Sequence, residues 1–133
     1  MLEILLMEDN PADIALFEIG LKELLPACKL SVFDKRETLI KKLVDISQKE
    51  NLNKKVVILD LFTPSNDGLD ILKSIRQQDQ FREIPILILT NAQETNLVQT
   101  AYEMGTNAFL FKPNDYDDFL VMLKGIVHFF PQQ

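Results

Sequence analysis

Four near-continuous apolar runs stand out along the chain: Ile4-Leu5-Leu6-Met7, Val56-Val57-Ile58-Leu59, Ile86-Leu87-Ile88-Leu89 and Ala108-Phe109-Leu110-Phe111. Such runs are the pattern of strands covered on both faces. A fifth, Leu30-Ser31-Val32-Phe33, is shorter and mixed, as an edge strand is. Between the runs, apolar residues recur at helical spacing: Ile14, Phe17, Leu21 and Leu24; Leu39, Leu43 and Ile46; Leu69, Leu72 and Ile75; Leu97, Ala101 and Met104; and Tyr116, Phe119, Leu120, Leu123, Ile126 and Phe130. Prolines and glycines punctuate the boundaries, at Asn10-Pro11, Leu25-Pro26, Thr63-Pro64, Asp67-Gly68, Ile84-Pro85, Gly105, Lys112-Pro113 and Pro131. Asn10 reads as an N-cap with Pro11 in the first helical position, and Asn114, followed by acidic residues, as the start of the last helix. Gly105 stands where a left-handed residue would end the fourth helix. Five strands alternating with five helices predict a doubly wound α/β fold, a parallel sheet with helices on both faces.

Composition narrows the function. At 133 residues with 47% hydrophobic and 26% charged positions, the chain is expected to be a single domain, 1–133. Its net charge of −6 has the wrong sign for a nucleic-acid-binding surface. The lone cysteine, Cys28, and lone histidine, His128, exclude an intramolecular disulfide and Cys- or His-based metal clusters, and both read as structural. No apolar run approaches the roughly 20 residues of a membrane span, and the start lacks the cationic region of a signal peptide, so the expected location is the cytoplasm.

In an open α/β sheet, ligands bind beyond the carboxyl ends of the strands. There the first strand runs into Glu8-Asp9, the third into Asp60, the fourth into Thr90 and the fifth into Lys112-Pro113. Three carboxylates brought together repel unless a cation neutralises them, and a hard divalent ion such as Mg²⁺ accepts oxygen ligands of this kind. Asp9 and Asp60 are the expected direct ligands, Glu8 acts through a water, and the backbone carbonyl of Phe62 adds one more oxygen. Read without their neighbours, Glu8 and Asp9 would be acidic residues favouring a helix N-terminus, and Asp115, Asp117 and Asp118 are read that way.

With these residues in this order, the chain resembles a response-regulator receiver domain, the phosphoacceptor module of two-component signalling. The resemblance rests on Glu8-Asp9, on residues 56–61 with Pro64 and Asp67-Gly68 behind them, on Thr90, and on Phe109-Leu110-Phe111-Lys112-Pro113, and it covers essentially the whole chain. It implies a flavodoxin-like (βα)5 fold with strand order 2-1-3-4-5. It also implies that Asp60 accepts a phosphoryl group from a sensor histidine kinase or phosphotransfer protein, with Mg²⁺ placed by Glu8 and Asp9 and with Lys112 and Thr90 contacting the phosphoryl oxygens. Thr90 and Phe109 would form the switch, Phe109 turning inward on phosphorylation and repacking the surface of the fourth helix, fifth strand and fifth helix. The Lys112-Pro113 peptide would be cis. Such a protein is not an enzyme beyond its own phosphoryl transfer and slow autodephosphorylation.

With no output domain expected after Pro131, the signal would leave through a protein contact. Tyr102, His128, Phe129 and Phe130 are candidate surface residues, either for a downstream target or for a homodimer. Some positions depart from the family pattern. Thr63 replaces a bulky apolar residue, Asn91 a very small one, and Phe62 and Ala92 stand where polar residues can orient a water, which predicts a long-lived phosphorylated state. The alternatives are a constitutive binding module of the same fold and a Mg²⁺-dependent phosphohydrolase with an aspartyl nucleophile, whose usual second acid would here be Phe62. A flavin-binding domain is disfavoured because Glu8-Asp9 would repel its phosphate.

Overall fold

The computed structural model describes residues 2–49, 54–61, 68–91 and 96–129. Each apolar run is a strand: β1 is Glu3–Met7, β2 Lys29–Phe33, β3 Lys55–Asp60, β4 Ile86–Thr90 and β5 Ala108–Phe111. The helices are α1 (Pro11–Leu24), α2 (Arg36–Lys49), α3 (Gly68–Arg76), α4 (Asn96–Glu103) and α5 (Tyr116–Phe129). The strands form one parallel sheet in the order β2-β1-β3-β4-β5, the flavodoxin-like arrangement, with the mixed β2 on an edge.

Alternation along the strands sorts the core into two layers. Leu5, Met7, Val57, Leu59, Ile86, Ile88 and Phe109 face α2, α3 and α4, meeting Leu39, Leu43, Ile46, Ile71, Leu72, Ile75 and Ala101. Their neighbours Ile4, Leu6, Val56, Ile58, Leu87 and Leu89 face α1 and α5, meeting Phe17, Leu21, Phe119, Leu123 and Ile126. Burial of all five residues of β1 and β4 and all six of β3 explains why these strands read as continuous apolar runs. Phe17 and Phe119 join α1 to α5 edge to face, centroids 5.1 Å apart. Among the described residues, no helix is long and apolar enough to cross a membrane.

The helix ends follow the expected chemistry with one shift. Asn10 Oδ1 accepts the N–H groups of Ala12 at 2.9 Å and Asp13 at 3.2 Å, with Pro11 opening α1. Gly105, at φ +104°, follows the end of α4. The last helix starts one residue later than Asn114 suggests: Asp115 Oδ1 accepts the N–H of Asp118 at 2.8 Å, and the Asp115 carbonyl accepts that of Phe119. Asn and Asp cap about equally well, so the apolar face containing Phe119, Leu123 and Ile126 sets the register. A 3-10 turn, Asp79–Phe81, interrupts the plain alternation and buries Phe81 completely.

Candidate functional site

Strand register brings the polar strand ends to one edge. Met7 pairs with Leu59, Asp60 with Leu89, and Thr90 with Phe111, so Glu8, Asp60, Thr90 and Lys112 all emerge at the carboxyl end of the sheet. Glu8, Asp60 and Thr90 are buried, whereas Asp9 is exposed. One oxygen each from Glu8, Asp9 and Asp60 lies within 4.8 Å of the others, a donor set of hard oxygens that suits a divalent cation such as Mg²⁺.

Lys112 sits over this group with only 12% of its side chain exposed. Its Nζ donates to Glu8 Oε2 at 3.0 Å, to Asp13 Oδ2 at 2.7 Å and to Asp60 Oδ2 at 3.2 Å. The three donors of an ammonium thus meet three carboxylates. Burial lowers the affinity of this ammonium for its proton, but the hydrogen bonds to Asp13 and Glu8 and the charges of Asp60 and Glu8 outweigh it, so the Lys112 pKa rises above the ordinary lysine value.

Glu8 divides its carboxylate between two tasks. Oε1 accepts the backbone N–H groups of Asp9 at 3.2 Å and Asn10 at 3.1 Å, while Oε2 faces Lys112. Burial raises its pKa and the Asp60 charge adds to the rise; Lys112 and the Asn10 N–H oppose both, and the net direction is up.

Thr90 is fully buried at the end of β4, and its carbonyl accepts the Lys112 backbone N–H at 2.7 Å. Phe109 is 8% exposed, its ring already packed into the α2-α3-α4 layer. The Phe109 N–H donates to the Tyr102 hydroxyl at 3.1 Å, tying β5 to α4. Tyr102, Phe111, His128 and Phe129 are exposed, as is Asn91. Phe62 with its backbone carbonyl, Thr63, Ala92 and Phe130 lie outside the described residues.

The expected cis Lys112-Pro113 peptide is not found, because no described peptide bond is cis. An X-Pro bond favours trans by roughly 0.5–1 kcal/mol, and Lys112 reaches all three carboxylates from the trans isomer. Asp13 is the site residue that sequence reasoning missed. Its signal was its place three residues after the Asn10 cap, in the first turn of the helix that follows β1, where an acidic residue is ordinarily read as helix N-terminal charge.

The geometry agrees with the kinship of the chain. A family model described as the response regulator receiver domain matches residues 4–124. Response regulator Rcp1 of Synechocystis sp. is 30% identical over 127 residues, which span 95% of this chain and 86% of that protein. The crystal structure of Rcp1 in its Mn²⁺-bound form superposes with a TM-score of 0.77 at 26% identity, covering 100% of this chain and 96% of that one. The bacteriophytochrome response regulator RtBRR gives a TM-score of 0.71 at 32% identity, covering 92% and 76% of the two chains. With five parallel strands in this order and an acidic strand-end cluster bridged by a lysine, the chain belongs to the response regulator receiver domain family of two-component signalling.

Proposed function

We propose that Asp60 is the phosphoacceptor of a cytoplasmic phosphorelay. Its carboxylate attacks the phosphorus of a phosphohistidine on a sensor histidine kinase or phosphotransfer protein. The P–N bond breaks, its electron pair staying with the imidazole, which leaves as the neutral ring because its other nitrogen already carries a proton, and an acyl phosphate forms on Asp60. The observation that carries this reading is the Lys112 ammonium held at once by Glu8, Asp13 and Asp60, a cation already in place beside the attacking oxygens. Phosphoryl transfer asks for little beyond an in-line nucleophile and neutralised oxygens.

Asp9 and Asp60 would hold Mg²⁺ directly, Glu8 through a water, with the Phe62 carbonyl completing the protein ligands; the Mn²⁺-bound form of Rcp1 supports a divalent ion here. When bound, Mg²⁺ supplies positive charge opposite the phosphoryl oxygens. Lys112 supplies a second positive charge and Thr90 a hydroxyl donor. Movement of the Thr90 hydroxyl toward the phosphoryl group then holds Phe109 in its inward position and so fixes the α4-β5-α5 surface, where Tyr102, Phe111 and Phe129 are exposed, for contact with a downstream protein or a second copy.

Incubation with acetyl phosphate and Mg²⁺ followed by intact-mass measurement tests the reading. A phosphoryl adduct on the parent chain and none on Asp60→Asn is the expected result; no adduct on either overturns it. One observation favours the constitutive alternative: Phe109 already occupies the inward position. The same measurement separates the two.

A further inference from the structure

Asp13 accepts the shortest of the three hydrogen bonds from Lys112 Nζ, 2.7 Å against 3.0 Å for Glu8 and 3.2 Å for Asp60. Its position is set by a rigid element. Its own N–H is held by Asn10 Oδ1, and Pro11 fixes the first helical position of α1. It lies outside the trio of carboxylates that could hold a metal ion, so its bond to Lys112 does not have to be surrendered when a cation arrives.

We propose that Asp13 is a positioning residue that draws the Lys112 ammonium toward the α1 side of the site, so that its longer bond to Asp60 gives way when a divalent cation and a phosphoryl donor arrive. The inference rests on the reading of Asp60 as the acceptor. An ammonium and a divalent cation compete for the oxygens of Glu8 and Asp60, and at a few ångströms they also repel each other. With Asp13 present, Lys112 loosens its hold on two partners and keeps the third. Without it, the ammonium settles on Glu8 and Asp60, and a cation must displace it. Asp13 therefore acts on the metal through Lys112, not only as one more negative charge.

Calorimetric titration of the purified chain with MgCl2 tests this, using the parent, Asp13→Asn, Asp13→Glu, Lys112→Met and the Asp13→Asn/Lys112→Met double variant. Asp13→Asn is expected to weaken Mg²⁺ binding about tenfold, and in the Lys112→Met background the same change is expected to cost no more than about threefold, the difference being the coupling that a double-mutant cycle isolates. Asp13→Glu, which keeps the charge, is expected to stay within about threefold of the parent and provides a second variant should Asp13→Asn fold poorly. Equal fold-changes in the two backgrounds, or an unchanged affinity in Asp13→Asn, overturn the proposal. A parent chain that gives no binding at millimolar Mg²⁺ overturns the acceptor-site reading and this inference with it; a parent that binds while Asp13→Asn is unaffected overturns this inference alone.

Discussion

Strand β1 carries a buried glutamate at each end, and their surroundings are electrical opposites. Glu3, 4% exposed at the amino end, is one carboxylate among cations: Lys55 Nζ lies 3.2 Å away, Lys29 Nζ 3.8 Å, and the Ser31 hydroxyl donates to it at 2.7 Å. Glu8, 2% exposed just past the carboxyl end, is one of three carboxylates that share the Lys112 ammonium. Burial pushes the Glu3 pKa up, but Ser31, Lys55 and Lys29 overcome it and the net shift is down; at Glu8 burial and the Asp60 charge prevail and the net shift is up. One end of the strand is electrostatically satisfied by the protein alone. The other is satisfied only in part, and a further cation can complete it. A structural ion pair and a prospective binding site thus differ here in the balance of charge, not in depth of burial.

The sharpest way to break this comparison is to remove the Lys112 ammonium that the carboxylates share. Lys112→Met leaves Glu8, Asp13 and Asp60 without their shared partner, and taking one member from a buried charge cluster typically costs about 3 kcal/mol. Urea denaturation at pH 7 without divalent ions is expected to show that loss. The loss is expected to shrink on adding Mg²⁺, which neutralises the carboxylates.

Next in size is the opposite end. Glu3→Gln keeps the shape of the side chain but removes the charge that Lys55 and Lys29 face, and is expected to destabilise the chain by about 2 kcal/mol at pH 7. The Glu3 pKa is lowered in the fold, so its stabilisation is present above the ordinary value of 4.5 and is lost as pH falls through the depressed one. Glu3→Gln is therefore expected to flatten the fall in stability below pH about 4.5. Because the amino-end cluster has no surplus carboxylate to attract a cation, Mg²⁺ is expected to shift the denaturation midpoint of this variant as much as it shifts the parent.

These two ends were not equally legible in the amino-acid order. Glu8, Asp60, Thr90 and Lys112 each follow an apolar run directly, with Asp9 next to Glu8, so once the runs are read as parallel strands their convergence follows from topology. Asp13 does not follow a strand. Its approach to Lys112 depends on how the first turn of α1 sits against the end of β5, a tertiary relation between residues 99 positions apart. Glu3, Lys55, Lys29 and Ser31 were hidden for a similar reason, since they meet across the β2-β1-β3 register at the end of the sheet where no ligand is expected. The clamp at Arg76 is equally non-local. Its guanidinium donates to the carbonyls of Gly105 at 2.9 Å and Phe81 at 2.8 Å and to Asn107 Oδ1 at 2.8 Å, tying the end of α3 to the turn before β5. Patterning shows which face each strand and helix buries; it is silent on which polar groups then meet across the ends.

The smallest expected effect is also the one that separates the two glutamates by sign. The Glu8 pKa is raised in the fold, so between the unfolded value of 4.5 and the raised one the folded chain binds more protons than the unfolded chain, and stability falls as pH rises through that window. Ionised Glu8 therefore works against the metal-free fold at neutral pH, and Glu8→Gln is expected to be neutral or stabilising by about 0.5 kcal/mol there, where Glu3→Gln destabilises. The amide oxygen can accept the Asp9 and Asn10 N–H groups, which turns its NH2 toward Lys112 Nζ, and that contact between donors offsets part of the gain from relieving the repulsion of Asp60. With Mg²⁺ added the order reverses. A cation at ten times its dissociation constant stabilises the parent by about 1.4 kcal/mol, and a variant lacking one of the carboxylates that attract it gains less. Thermal melts of the parent and Glu8→Gln, with and without Mg²⁺ and across pH 4 to 8, decide the point: the variant is expected to melt at or above the parent without the ion and below it with the ion. If Glu8→Gln melts below the parent by the same margin in both conditions, the carboxyl end is as self-satisfied as the amino end, and the contrast between the two ends of β1 fails.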